Sequence, residues 1–358
     1  ITTGVQNTIV GGLAGDALTD ADFNVALGVA SLSSDTLGSK STALGYGSLT
    51  NQNFTTATDT QNTAVGFQAG TNVTTATFNT LIGSLAGTSL TTGTNNTFIG
   101  ALAGDAFDVG AFNTAVGMGA LSTDVHGSRS TALGYFALVD QNFATTTDVY
   151  NTAVGYAAGV AVTTGIQNTL IGGLAGDAIT DADYNVAVGM GSLGANTVGS
   201  RSTAVGTNSL FEQNPATAAD MYNVAVGYHA GFKVSTGISN TLIGGLAGDA
   251  LTDADYNVAI GKDALGTDTL GSQSVAIGQG ALRDQNFTTA TNALNTAVGM
   301  DAGLKVTTGV QNTFLGAIAG DALTDADYNV ALGYGALTRD TLGSRSVAIG
   351  HNSLANQN

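Results

Sequence analysis

A short apolar phrase recurs along the whole chain at nearly constant spacing. It reads Asn or Ser, Thr or Val, any residue, an aliphatic residue and Gly, and it occurs 20 times between Asn7 and Gly350. Successive glycines lie 17 residues apart, except for four intervals of 21. β-Branched and aliphatic residues closed by a glycine are typical of a short strand that ends at a bend or a close backbone approach. Since no 3.6-residue period survives in these units, the pattern predicts one short strand per repeat.

Four repeat types follow one another in a fixed order and form a super-repeat of 72 residues. One cycle consists of residues 168–184, 185–201, the long repeat 202–222, and 223–239. One additional 17-residue unit lies around residues 79–95. Residues 1–358 therefore form a single continuous repeat array without linkers. Both ends fall inside the cycle and neither resembles a capping repeat, so we expect an uncapped segment of a longer fibre.

The repeat predicts an all-β fold, a parallel β-solenoid or β-roll with one coil of 17 or 21 residues per repeat. Each coil would hydrogen-bond to the next at about 4.8 Å, so 20 coils would build a rod of about 95 Å. Alternation places the aliphatic third residue of each strand on one face and the middle residue, usually Ala, on the other. We expect the aliphatic residues to fill the coil and the alanines to face neighbouring chains, as in a homotrimer. A wider single-chain coil that folds a second strand over the first is the alternative.

Other repeat positions should form columns along the solenoid. The Asn or Ser that opens each phrase should build a hydrogen-bonded ladder from coil to coil. Aromatic residues precede this position (Phe112, Tyr150) or follow the glycine (Tyr135, Tyr156), and such columns are typical of packing more than of ligand platforms. The four added residues of the long repeats should bulge as loops about 19 Å apart, suited to recognition. Alternatively, their phenylalanines (Phe54, Phe143, Phe287) plug the coil.

Composition narrows the function classes. The chain has 51 glycines, one proline, no cysteine and a net charge of −17, with Glu212 as its only glutamate. Such an acidic chain is not expected to bind nucleic acid or an anionic membrane. No run of about 18 apolar residues predicts a membrane-spanning helix, so we expect no membrane insertion in this segment. The scarcity of glutamate and lysine disfavours helices.

The repeats carry no arrangement typical of catalysis. The three histidines occupy different repeat positions, no isolated carboxylate pair suggests glycoside cleavage, and no phosphate-binding loop motif occurs. We therefore predict that the chain is not an enzyme, with neither catalytic nor organic-cofactor residues.

The best candidate site is the repeated segment GDALTDADY. Its three carboxylates within seven residues could bind calcium, a cation that prefers oxygen ligands. The alternative is a solvated turn in which each aspartate caps its own backbone. The candidate metal ligands are Asp16, Asp20, Asp22, Asp177, Asp181, Asp183, Asp249, Asp253, Asp255, Asp321, Asp325 and Asp327.

A basic column accompanies a second acidic one. Lys40, Arg129, Arg201 and Arg345 each lie five residues after a column formed by Asp35, Asp124, Asn196, Asp268 and Asp340, and Gln273 replaces the base once. We expect a weak ion pair across the coil or between chains.

Phrases such as NTAVGYAAG (151–159), STALGYGSL (41–49) and SVAIGHNSL (346–354) resemble the head repeats of trimeric autotransporter adhesins and the shafts of bacteriophage tail fibres. This resemblance implies a homotrimer of β-rolls, left-handed in the adhesin heads, displayed outside a cell or on a virion. The period differs, because adhesin heads have shorter coils than the 17 and 21 residues found in this chain.

The function expected from the sequence is structural: a segment of an extracellular fibre that acts as a rigid spacer and attaches to a host or surface. Its partner on that surface would be a glycan or a protein receptor. The alternative is an adhesin solenoid of a bacterial cell that binds calcium or a surface ligand. Ice binding through threonine rows is weakened by the mixture of Thr and Val, and a β-helical glycan depolymerase comes last.

Overall fold

The protein is a parallel β-solenoid of about 20 turns in which each turn contributes one three-residue strand. The structure is a computed structural model that describes residues 1–357, and these residues contain no helix. The predicted fold class, all-β with one coil per repeat, is confirmed.

The coils group into two compact units, which are described separately. The first unit, Ile1–Asp181, contains strands β1 (Thr8–Val10), β2 (Val25–Leu27), β3 (Gly38–Ser39), β4 (Thr42–Leu44), β5 (Thr58–Asp59), β6 (Thr63–Val65), β7 (Thr80–Ile82), β8 (Thr97–Ile99), β9 (Thr114–Val116), β10 (Gly127–Ser128), β11 (Thr131–Leu133), β12 (Thr147–Asp148), β13 (Thr152–Val154) and β14 (Thr169–Ile171).

The second unit begins at Ala182 and repeats the same plan. It contains strands β15 (Val186–Val188), β16 (Gly199–Ser200), β17 (Thr203–Val205), β18 (Ala219–Asp220), β19 (Val224–Val226), β20 (Thr241–Ile243), β21 (Val258–Ile260), β22 (Gly271–Ser272), β23 (Val275–Ile277), β24 (Thr291–Asn292), β25 (Thr296–Val298), β26 (Thr313–Leu315), β27 (Val330–Leu332) and β28 (Val347–Ile349).

Neighbouring coils pair in parallel with identical repeat positions opposite each other. In the β6–β7 pair, for example, Thr63 lies opposite Thr80 and Val65 opposite Ile82. In the long coils the extra residues form a second, two-residue ladder, such as β3 with β5 and β10 with β12. Each repeat position therefore becomes a column along its unit.

The assignment of the two strand faces from the sequence was wrong. The middle residue of each strand points into the coil, and alanines such as Ala64 and Ala115 are fully buried. The first and third residues point outward and are half-buried or exposed, as at Thr114 and Val116. The reason is space: a coil closed by so few residues is narrow, so only a small mid-strand side chain fits beside the other inward residues.

Those other inward residues explain how the narrow core is filled. Six residues after the mid-strand position, each coil carries a residue in the left-handed backbone region, and this residue is either Leu or Gly. Where the mid-strand residue is Phe98, the later position is Gly104, and a Cβ atom added there would lie 2.6 Å from the Phe98 ring. Where it is Ala115, the later position is the fully buried Leu121. Large and small residues therefore alternate between two inward positions, which keeps the core close-packed.

The glycine that closes each strand is required for two reasons. Gly66 has a φ of +142°, which L side chains rarely adopt, and a Cβ atom at Gly66 would lie 2.3 Å from the carbonyl oxygen of Gly83 in the next coil. The predicted close backbone approach at this position is confirmed.

The packing rule gives a test in the coil of Ala115. Replacing Ala115→Leu alone should destabilise that coil by about 1–3 kcal/mol through overpacking. Leu121→Gly alone should cost about 2–5 kcal/mol through the cavity it leaves. The double variant reproduces the Phe98/Gly104 arrangement and should recover most of the loss.

Hydrogen exchange of amides in the same coil measures these changes locally, which suits a repeat array. A double variant as unstable as the sum of the two single variants would contradict the rule.

Candidate functional site

The most extensive surface feature is the outward face of the strands. Its two central columns are the first residue of each strand, Thr or Val, and the third, Val, Ile or Leu. Large apolar side chains are exposed along it, including Leu133 at 37% and Ile171 at 38% in the first unit and Leu315 at 46% in the second. No charged residue occupies either position in the described strands. We call these two columns the outward apolar face.

Exposed aromatic residues flank the outward apolar face on both sides. After the strand-closing glycine, the rings of Tyr135 and Tyr156 stack with centroids 5.6 Å apart, and both side chains are exposed. Before the asparagine, Phe112 and Tyr150 are also exposed. The expectation that these columns serve packing rather than ligand binding stays a prediction, because their outer edges face solvent.

The aromatic column before the asparagine is interleaved with the basic residues. The guanidinium of Arg129 lies 5.0 Å from the ring centroid of Phe112 and 5.7 Å from that of Tyr150. It also forms an ion pair of 2.9 Å with Asp148. Lys40 pairs with Asp59 and Arg201 with Asp220 in the same way.

The ion-pair partner is therefore not the preceding acidic column. Each base pairs with an aspartate 19 residues later, at the second ladder of the long coil, whereas Asp35 and Asp124 are buried. In the remaining copy, Gln273 replaces the base and Asn292 stands at the acid position. The two charges are lost together, as expected for residues that interact.

The structure distributes the predicted calcium ligands along the coils instead of gathering them. Asp22 Oδ1 accepts a hydrogen bond from the Val5 N–H of the preceding coil, and Asp255 and Asp327 bind the equivalent amides of Ile238 and Val310. Asp20 and Asp253 accept from threonine hydroxyls one coil earlier. These side chains thus join adjacent coils. The first aspartate of the segment (Asp16, Asp177, Asp249, Asp321) lies apart, before the turn that carries the other two (Asp181, Asp183 and Asp325 complete these sets).

No site for a small ligand is evident in the part of the chain that the structure describes. Within residues 1–357 there is no group of three His, Asp or Glu side chains that could hold a metal ion, and no pocket. None of these residues forms a helix long and apolar enough to cross a bilayer. Calcium binding stays a prediction from the sequence.

The predicted asparagine ladder is confirmed, in a form that uses the backbone. Asn79 Oδ1 accepts the backbone N–H of Asn96 in the next coil at 2.9 Å, and Asn79 Nδ2 donates to the carbonyl oxygen of Gly93 at 3.0 Å. These amides are buried, so each satisfies backbone groups that the short strand leaves unpaired.

Sequence reasoning missed a buried polar cluster in the long coils. Asp124 Oδ2 accepts from Gln141 Nε2 at 2.6 Å, and Gln141 Oε1 accepts from Asn151 Nδ2 at 2.9 Å. Gln141 Nε2 also donates to the hydroxyl of Ser130. The signal that could have found this cluster is that its Gln occurs only where a long repeat follows the acidic column.

The inserted segments combine both predicted arrangements. Phe54, Phe143 and Phe287 are buried against the coil, with exposures of 5–7%, while the residues after them are exposed. The phenylalanine therefore anchors an exposed loop.

The three histidines do not meet. His126 Nδ1 lies 3.0 Å from the Phe143 carbonyl oxygen, His229 stacks on Tyr228 and Phe232, and His351 stacks on Tyr334.

Comparison with known proteins adds no family assignment. No protein-family model matches the chain, and no similar protein was found among curated sequences.

Burial makes part of the stability pH-dependent. It raises the pKa of Asp105, Asp177, Asp249 and Asp321, which occupy one repeat position, above the ordinary value of 3.8. Because the folded protein then binds protons more tightly than the unfolded chain, the contribution of these groups is fully present below pH 3.8. It is lost as the pH rises through the raised pKa values.

Replacing these four aspartates by asparagine should therefore raise the melting temperature at pH 7 relative to the unmodified protein, with a smaller gain near pH 4. Thermal unfolding followed by circular dichroism at both pH values measures this. The four exposed changes Asp59→Asn, Asp148→Asn, Asp181→Asn and Asp325→Asn provide a control with the same change in net charge. An equal gain in the control would show that net charge, and not burial, is responsible.

The calcium hypothesis has a direct test. If the aspartate segments bind calcium, isothermal titration should show heat and the melting temperature should rise with calcium. Substituting Asp20, Asp181, Asp253 and Asp325 by Asn should reduce both effects. Titration without heat and without a melting shift would remove the hypothesis.

Proposed function

We propose that this chain is a structural segment of an extracellular fibre, part of a tail fibre or of a surface appendage. In this proposal it acts as a rigid spacer and attachment element and assembles as a homotrimer. The observation that carries the proposal is the outward apolar face, which runs along every coil of each unit. Soluble monomers rarely expose contiguous apolar patches larger than a few hundred Å².

A second copy of the same chain is the partner that fits this face best. The columns beside it alternate between small residues, such as Gly173 and Gly245, and large ones, such as Tyr156 and Tyr228, with the spacing of the repeat cycle. Only another array of the same period can match that alternation over many coils. The resemblance to trimeric fibre proteins supports three copies.

Rigidity follows from the hydrogen bonding between coils. Backbone pairing, the asparagine ladder and the aspartate–backbone contacts all connect each coil to its neighbours. Such a stack resists bending better than separate domains joined by linkers, which suits a spacer.

Attachment would use the exposed loops of the long coils. They recur once in each super-repeat and are held on a stiff scaffold, where recognition residues are usually found. A glycan or a protein on a host or cell surface is the proposed receptor. No arrangement typical of catalysis supports an enzyme, and a calcium- or surface-ligand-binding adhesin solenoid is the second version of the proposal.

Mass measurement in solution tests the assembly. The unmodified chain should have three times the monomer mass of 35.4 kDa. Introducing charges into the outward apolar face, with Val116→Asp, Leu133→Asp and Val154→Asp together, should shift the mass to that of the monomer because buried unpaired charges are strongly unfavourable.

The matched control places the same number of charges on exposed loop residues, with Ala144→Asp, Thr145→Asp and Thr146→Asp, and should leave the mass unchanged. A 35.4 kDa monomer from the unmodified chain would overturn the trimer.

A further inference from the structure

The buried polar clusters of the long coils share one geometry in three copies. The carboxylates of Asp35, Asp124 and Asp268 are buried, and each accepts three hydrogen bonds from N–H donors. For Asp35 these donors are the Gly38 N–H at 3.0 Å, the Phe54 N–H at 3.1 Å and Gln52 Nε2 at 2.6 Å. A carboxylate surrounded only by donors matches the ionised form, since a protonated oxygen would add another donor.

The donor set spans the whole insertion. The glycine N–H lies three residues after the aspartate, within its own turn. The glutamine opens the insertion 17 residues later, and the phenylalanine N–H lies inside it. One buried charge therefore holds the turn of one coil and both the start and the anchor residue of the inserted loop in the next.

The fourth copy differs at two positions that touch each other in the other copies. Asn196 replaces the aspartate, and Pro215 replaces the phenylalanine whose N–H would be the third donor. Proline has no N–H. Asn196 Oδ1 still accepts the Gly199 N–H at 3.0 Å, but Gln213 Nε2 is buried without a partner.

The Pro215 copy shows a physical rule rather than a random change. A buried carboxylate that loses one of three donors keeps its desolvation cost with less compensation, whereas a neutral amide at the same place leaves only one weaker donor unpaired. The charge is thus absent in the one copy where the chain cannot supply the third N–H.

We propose that this carboxylate is a lock that fixes the inserted loop of each long coil, and that the lock residue and the anchor residue are coupled: aspartate requires an anchor N–H, and asparagine accompanies proline. The loops at Phe54, Phe143 and Phe287 are fastened by a charge, and the loop at Pro215 is not. Loops of two different stabilities therefore alternate along one chain. This inference is independent of the proposed assembly, because it concerns contacts within a single chain.

A double-mutant cycle in the Asp124 copy tests the coupling, with hydrogen exchange of residues 142–147 as the readout. Asp124→Asn should speed exchange there by about tenfold or more, because Gln141 loses its acceptor. Phe143→Pro should do the same by removing a donor from the buried charge. The double variant reproduces the Asn196/Pro215 arrangement, so its exchange should be at least about tenfold slower than the product of the two single effects predicts.

The matched control uses Phe143→Ala, which removes the ring and keeps the N–H. Its combination with Asp124→Asn should be close to multiplicative. Asp268→Asn, measured alone, should speed exchange in residues 286–291 and not in 142–147.

Two results would overturn the proposal: a multiplicative cycle with Phe143→Pro, or unchanged exchange of the inserted loops in both Asp124→Asn and Asp268→Asn. The second comparison decides the question even if Phe143→Pro fails to fold.

Discussion

Hydrogen bonding between identical positions of successive coils is the constraint on which the rest of the structure depends. Each coil has one strand of three residues, so a coil alone pairs few of its own backbone groups. The remaining groups must bond to the coils on either side, which requires the same backbone path in every repeat. The strand-closing glycines, the buried asparagines and the left-handed residue before each asparagine all serve this requirement. The 17-residue period is therefore a backbone constraint as much as a packing one.

This constraint leaves little freedom inside the coil and much outside it. The interior holds alanine, leucine or phenylalanine in complementary pairs, such as Ala115 with Leu121 and Phe98 with Gly104. The outward side chains do not determine whether the coil closes, yet they remain apolar along the strands. An apolar character that the single chain does not need is the physical basis for proposing that another chain covers it. The charged residues, by contrast, lie in turns and at the long coils.

The long coils show how the array accepts four extra residues without losing register. The added segment is anchored by a buried aromatic ring in three copies and tied to the preceding turn by the buried carboxylate or amide. Asp35 and Asp124 had seemed to be candidates for surface ion pairs because only their spacing from Lys40 and Arg129 was visible. In the structure the bases bind Asp59 and Asp148 instead, since the second ladder of the long coil brings those residues alongside.

The sequence by itself determined the repeat, the all-β solenoid, the coil length, the asparagine ladder and the role of the closing glycine. All of these are periodic, and a period is visible in one dimension. Only the tertiary structure decided which strand face is inside, since alternation separates two faces without saying which one the coil encloses. It also decided which charges meet and that the aspartates of GDALTDADY bind neighbouring coils separately. These features depend on distances between residues of different coils, and such distances follow from how tightly the coil closes.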